Sequence, residues 1–144
     1  MITERQIVLV KSTWNYVILR SQEAGETFYQ RLFEIAPHLK PMFKGNTKEQ
    51  ARKLMSMVTL IVTKLEKLDD IMQEIKYLAI RHVKYQVEEK HYDLVGQSLL
   101  WTLENGLKDK WTNEVAEAWT KVYTILSNAM ITTMQKEKEN VLLK

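Results

Sequence analysis

Apolar residues recur every three or four positions along almost the whole chain, and nowhere do they alternate over more than a few residues. That period predicts helices rather than strands. Thr3 opens the first helix, with Gln6 placed to complete a reciprocal cap, and Ile7, Val10, Trp14 and Val17 form its apolar face. Ser21 to Gly25 reads as a break or bend. Beyond it Gly25, Tyr29 and Phe33 share one face, and Gly25 offers room for another helix to approach closely. Pro37 and Pro41 exclude a long helix there and predict a short corner ending at Phe43.

Gly45-Asn46 reads as a turn and Thr47 as the cap of the next helix, whose core face runs through Leu54, Met57 or Val58, Ile61 and Leu65. Gln50 falls on that same face although it is polar. Asp69 or Asp70 is expected to start another helix, with Leu68 as a hydrophobic staple. Its stripe is Ile71, Met72, Ile75, Leu78, Ala79 and His82, followed by a connector over residues 83–91. Tyr92, Val95, Leu99, Leu103 and Leu107 mark a further helix. Trp111-Thr112-Asn113 closes the next turn and caps the last helix, which carries Val115, Ala118, Trp119, Val122, Leu126 and Met130 and extends to about residue 140. There is no internal repeat and no Gly/Ser- or Pro-rich linker. The expectation is an all-α fold, with residues 1–144 as one domain of six long helices and one or two short ones.

Composition narrows the function. A 144-residue chain that is 45% hydrophobic and 27% charged can bury roughly two-thirds of its unfolded surface. Its net charge of +3 comes from interleaved acids and bases, so the clustered basic face of a nucleic-acid binder is missing. Absence of cysteine excludes disulfides, thiolate metal sites and cysteine nucleophiles. No apolar run approaches the ~18–20 residues of a membrane span, and the N-terminus lacks a signal-peptide core. A cytoplasmic protein, a monomer or weak homodimer with no membrane or nucleic-acid partner, is expected.

The candidate chemistry centres on His82. His38 and His91 lie in polar, turn-like surroundings, and no two of the three histidines have the spacing of a two-histidine zinc helix. His82 closes an apolar stripe, which fits either a hydrogen-bonded core histidine or a ligand to a metal centre. Tyr29 and Gln50 are polar residues on otherwise core-facing stripes of two other helices. A buried hydroxyl or amide left unsatisfied costs roughly 1–3 kcal/mol, so both pointing inward suggests something polar between them. Alternatively, Tyr29 sends its hydroxyl to a backbone carbonyl, and Gln50 completes a capping box with Thr47.

Five segments together resemble the globin family, in particular the haem domain of bacterial flavohaemoglobins and single-domain bacterial haemoglobins, and the last third is similar to neuroglobin. They are Phe28-Tyr29-Gln30-Arg31-Leu32-Phe33, Pro41-Met42-Phe43, Arg81-His82, His91-Tyr92-Asp93-Leu94-Val95-Gly96 and Ala118-Trp119-Thr120-Lys121-Val122-Tyr123. The resemblance covers nearly the whole chain and implies helices packed around a haem pocket. It implies haem b, with His82 as the iron ligand and Phe43 packed against the haem. It places Tyr29, Gln50 and Leu54 on the distal side, and Val87, Tyr92 and Val95 on the proximal side.

The implied function is reversible binding of oxygen, and of other diatomics such as nitric oxide or carbon monoxide, at a pentacoordinate or weakly sixth-ligated iron. Tyr29 and Gln50 would stabilise the bound ligand. The alternatives are a nitric oxide dioxygenase and a haem-based gas sensor. Two departures from the flavohaemoglobin pattern bear on the choice. The sequence has no Gly-rich dinucleotide fingerprint, so haem reduction is expected from a separate reductase. Where that family has a glutamate linked to the proximal histidine and a tyrosine, this chain has Met134, with Glu137 about one turn on. An electron-rich, peroxidase-like iron is not expected.

Overall fold

The computed structural model describes residues 2–43 and 45–143. Among these residues six α-helices follow one another with no strand: α1 (Glu4–Val17), α2 (Ser21–Ile35), α3 (Thr47–Thr63), α4 (Met72–Lys84), α5 (Glu89–Leu107) and α6 (Asn113–Leu143). Short 3-10 turns at Ile18–Arg20, Pro37–Met42, Leu65–Ile71 and Lys108–Lys110 make four of the joints. No helix is long and apolar enough to cross a membrane.

Local chemistry explains where the elements begin, and in four places it differs from the sequence expectation. Thr3 and Gln6 do form the reciprocal cap of α1. The break after α1 falls at Ile18–Arg20, where Arg20 leaves the helical region, so Ser21 to Gly25 is continuous helix rather than a bend. Asn46, not Thr47, caps α3: its extended backbone lets the side-chain oxygen accept the N–H of Glu49 at 2.7 Å. Neither Asp69 nor Asp70 starts α4. The Leu65–Ile71 stretch winds as 3-10 turns across a kink at Lys67, and α4 begins at Met72 without a side-chain cap.

The expected 83–91 connector shrinks to residues 85–88. There Glu88 caps α5 with His91 as its reciprocal partner, the Glu88 N–H donating to His91 Nδ1 at 3.0 Å. Histidine replaces the usual Glu or Gln of this box, which is why the sequence pattern did not reveal it. His91 is consequently buried, contrary to its turn-like reading, whereas His38 is exposed.

The helices pack with α2 lying against both α3 and α5, while α6 receives α1, α4 and α5. The Trp14 and Trp119 rings meet at 5.8 Å. Trp14 Nε1 donates to Thr59 at 3.1 Å and Trp119 Nε1 to Thr13 at 2.9 Å, so α1, α3 and α6 share one hydrogen-bonded aromatic hub. Both indole donors are thereby satisfied in the core. Trp101, off the core stripe, packs under the Arg31 guanidinium at 4.8 Å.

Gly25 marks a close contact between α2 and α3. A β-carbon there would stand 2.7 Å from the β-carbon of Ala51 and 3.0 Å from its carbonyl oxygen. Backbone, not a flexible side-chain tip, occupies that space. Gly25→Ala gains about 1 kcal/mol of helix propensity but overpacks a contact that typically costs about 1–3 kcal/mol. A net loss of up to about 2 kcal/mol is expected in urea denaturation, partly recovered by adding Ala51→Gly.

Candidate functional site

The α2–α3 contact sets the first half of the site. Tyr29 lies one helical turn beyond Gly25, and Gln50 is the neighbour of Ala51, so the crossing brings their helices together where both residues line one cavity. The cavity, about 60 Å³, is lined by Tyr29, Phe33, Lys40, Phe43, Gly45, Thr47 and Gln50. One water-sized occupant needs roughly 10–15 Å³, so a diatomic molecule fits and a large macrocycle does not. The Tyr29 ring is held edge-on by Phe28 at 4.9 Å and Phe43 at 5.3 Å, with Phe33 at 6.0 Å.

No backbone carbonyl among the described residues takes the Tyr29 hydroxyl, and burial pushes its pKa up to about 12. It remains a protonated donor at neutral pH. With Asn46 and Glu49 forming the start of α3, the capping-box alternative for Gln50 falls away. The buried residues of α3 are Ala51, Met55, Val58, Ile61 and Val62. Gln50, Leu54 and Met57 form a half-buried stripe beside them.

The second half stands on α4 and α5. His82 is half-buried in the last turn of α4, and its Nδ1 contacts the Leu78 carbonyl at 2.8 Å. Burial, then the Arg81 charge, lowers its pKa, against the raising effect of the Leu78 carbonyl. The ring is therefore neutral at pH 7, and since a carbonyl only accepts, the proton sits on Nδ1. Nε2 is left with its lone pair and no hydrogen bond to a described residue.

The chain then turns back over this ring. Val87 N–H donates to the His82 carbonyl at 3.0 Å and Gln86 N–H to that of Val83 at 2.9 Å. This is a Schellman termination, in which Gln86 takes the left-handed position (φ 67°) that glycine usually fills.

On α5, Tyr92 is buried and Val95 half-buried. Tyr123 lies across Gly96, where a β-carbon would stand 2.7 Å from its ring, and its hydroxyl donates to the Tyr92 carbonyl at 2.5 Å. The Tyr92 hydroxyl has no partner although it is fully enclosed. Met134 is 3% exposed, so the position read against the family's glutamate is an apolar core site here.

The two halves stand on different helix pairs. The main packing partners differ: α3 lies chiefly on α2, and α4 on α6. Leu54, Leu78, Val83, Val87 and Val95 stay half-buried against the core, as residues walling a crevice do. The structure thus groups Tyr29, Gln50 and Phe43 around one cavity and ties Val87 to His82, while His82 stands on a different helix from the cavity residues. Lys40 and Thr47 line the cavity without having been singled out, because no periodicity marks a corner residue and a helix start as neighbours. No cluster of three or more His, Cys, Asp or Glu suited to a metal ion occurs among the described residues.

The fold thus sets a neutral imidazole on one helix and a donor-lined cavity beneath another. The comparisons identify the family. Residues 26–130 match the globin family, and the chain belongs to it. It is 31% identical over 136 residues to an uncharacterised globin-like protein of Aquifex aeolicus, covering 94% of this chain and 96% of that one. It is 27% identical over 146 residues to a flavohemoprotein of Oceanobacillus iheyensis, covering 97% of this chain but 36% of the relative, so it spans about a third of that protein. A bacterial globin of Campylobacter jejuni has the same fold, with a TM-score of 0.85 and 25% identity over 95% of this chain and 99% of that one.

Membership implies haem, and the residues fit it: a free imidazole nitrogen, a half-buried apolar wall and an orphaned hydroxyl on the α5 side.

Two outcomes follow. An enclosed unpaired hydroxyl is a standing cost, so Tyr92→Phe is expected to stabilise the haem-free protein by about 1 kcal/mol in urea denaturation. His82 and His91 both have pKa values below the ordinary 6.5, in each case chiefly through burial. The unfolded chain therefore takes up protons first as pH falls. Haem-free stability should be full above about pH 6.5 and decline as pH drops through the folded-state values, with a shallower decline in His91→Gln.

Proposed function

We propose that the chain binds haem b, that His82 Nε2 would hold its iron, and that the protein reversibly binds oxygen and other diatomic gases. The observation that carries this reading is the state of His82: neutral, half-buried, oriented by the Leu78 carbonyl, and with Nε2 left available. A sequence without cysteine offers no thioether attachment, which favours a haem held without a covalent bond. When bound, the haem iron supplies the open coordination position at which a gas is taken up.

The chain's own residues do the rest. Leu78 holds the imidazole tautomer, and the Val87 turn fixes the end of α4 that carries it. The resemblance assigns Phe43, Leu54, Val87, Tyr92 and Val95 to the faces of the group, and their apolar bodies keep water from it. Tyr29 and Gln50 line the cavity with a hydroxyl and an amide able to donate to a polar ligand.

A hydrogen bond worth ~1–1.5 kcal/mol slows ligand loss about tenfold. His82→Ala is expected to abolish haem retention, read as loss of the Soret band after gel filtration. Tyr29→Phe should retain haem and release oxygen about tenfold faster in stopped flow. An unchanged off-rate would remove Tyr29 from the ligand's contacts.

A second reading is favoured by the flavohemoprotein relative, of which this chain matches about a third. In it, the same site consumes nitric oxide as a dioxygenase served by a separate reductase. Cycling with a generic reductant distinguishes the two, because reduction too slow to sustain turnover leaves only gas binding.

A further inference from the structure

Residues 85–88, which join α4 to α5, hang between two histidines. At one end the Val87 N–H donates to the His82 main-chain carbonyl at 3.0 Å. At the other, the Glu88 N–H donates to Nδ1 of the His91 ring at 3.0 Å, while the Glu88 side chain accepts the His91 N–H. Gln86 makes the bend between them with a left-handed backbone (φ 67°), which a residue other than glycine keeps only where its surroundings impose it. Val87, half-buried against the core, is thus fixed by a main-chain bond on one side and by an imidazole on the other.

The imidazole is the anchor that can titrate. To accept a backbone N–H, Nδ1 needs its lone pair, so neutral His91 carries its proton on Nε2, the reverse of His82. A second proton on Nδ1 turns the acceptor into a donor and sets two N–H groups against each other, and the bond to Glu88 is lost. His91 is 7% exposed. Burial disfavours its charged form; the Glu88 carboxylate, 4.0 Å from Nε2, favours it; Lys90 and, from the Pro37–Met42 turn, His38 disfavour it. The balance is a pKa below the ordinary 6.5. The cap is therefore complete at neutral pH and is given up as pH falls through the folded-state value.

We propose that the Glu88–His91 cap is an acid-released latch on the 85–88 turn, so that protonating His91 frees the turn and loosens the chain's grip on haem. Resting on the haem-binding reading, the link runs through Val87, which the resemblance sets against the group. The turn stays hung from the His82 carbonyl, so release slackens one wall of the site without unwinding α4. Acid then acts on haem retention through two separable groups, the His82 ring and the latch nine residues beyond it.

Amide exchange of Glu88, followed by NMR in the full-length chain with and without haem, reads the latch directly. Its protection factor is expected to fall about threefold to tenfold between about pH 7.5 and pH 5. It should stay level in His91→Gln, whose amide oxygen takes the same N–H without titrating. Haem transfer to an excess of a haem-scavenging apoprotein reads the consequence. Over the same range acid should speed transfer about threefold to tenfold more in the unmodified protein than in His91→Gln, with equal rates in the two at about pH 7.5. Glu88 protection that does not change with pH in the unmodified protein would overturn the latch. Release of the latch with no difference in haem transfer between the two proteins would overturn its hold on haem. A chain that takes up no haem would instead overturn the haem reading, and exchange in the haem-free chain would still decide the latch.

Discussion

The close approach of α2 to α3 at Gly25 and Ala51 is the constraint on which the distal half of the site depends. Two helices with ordinary side chains at their contact stand 8–10 Å apart, and a glycine against an alanine permits the near end of that range. Tyr29 and Gln50 sit immediately beside the contact, one turn along α2 and one residue back on α3. Their shared cavity is therefore a direct result of how near the two backbones come. The aromatic cluster of Phe28, Phe33 and Phe43 then holds the Tyr29 ring, so its hydroxyl is aimed by packing rather than by a hydrogen bond.

A complementary constraint governs the other half. α4 packs chiefly on α6, and its last turn carries His82 half-buried. The imidazole is oriented by a backbone carbonyl, a neutral acceptor, where a carboxylate would make the ring more electron-rich. Met134 is a buried apolar residue on α6, and the enclosed Tyr92 hydroxyl on α5 has no hydrogen-bond partner among the described residues.

Legibility varied from residue to residue for identifiable reasons. The reciprocal cap at Thr3 was readable because both partners lie within four residues. The close-approach role of Gly25 was readable as a possibility, since only its partner was missing. The cap at Asn46 was misplaced by one residue, because Asn and Thr are both good caps and only the backbone angles decide between them. The start of α4 was misplaced because an Asp pair suggests a cap, whereas the chain there winds into 3-10 turns that bury Leu65 and Ile71. His91 read as a turn residue because its burial depends on a reciprocal bond with Glu88 that no standard pattern contains.

By itself the sequence determined what periodicity and local capping encode: an all-α chain, the apolar faces of its helices, and the residue types able to ligate and to donate. The ordered segments around Tyr29, Phe43, His82 and Tyr92 also carried the family. Tertiary structure alone decided which of these residues meet. Helical spacing says which side of its own helix a residue occupies, and nothing about the distance to another. Only the packed fold shows that Lys40 and Thr47 share a cavity with Tyr29 and Gln50, and that the Tyr92 hydroxyl is enclosed without a partner among the described residues.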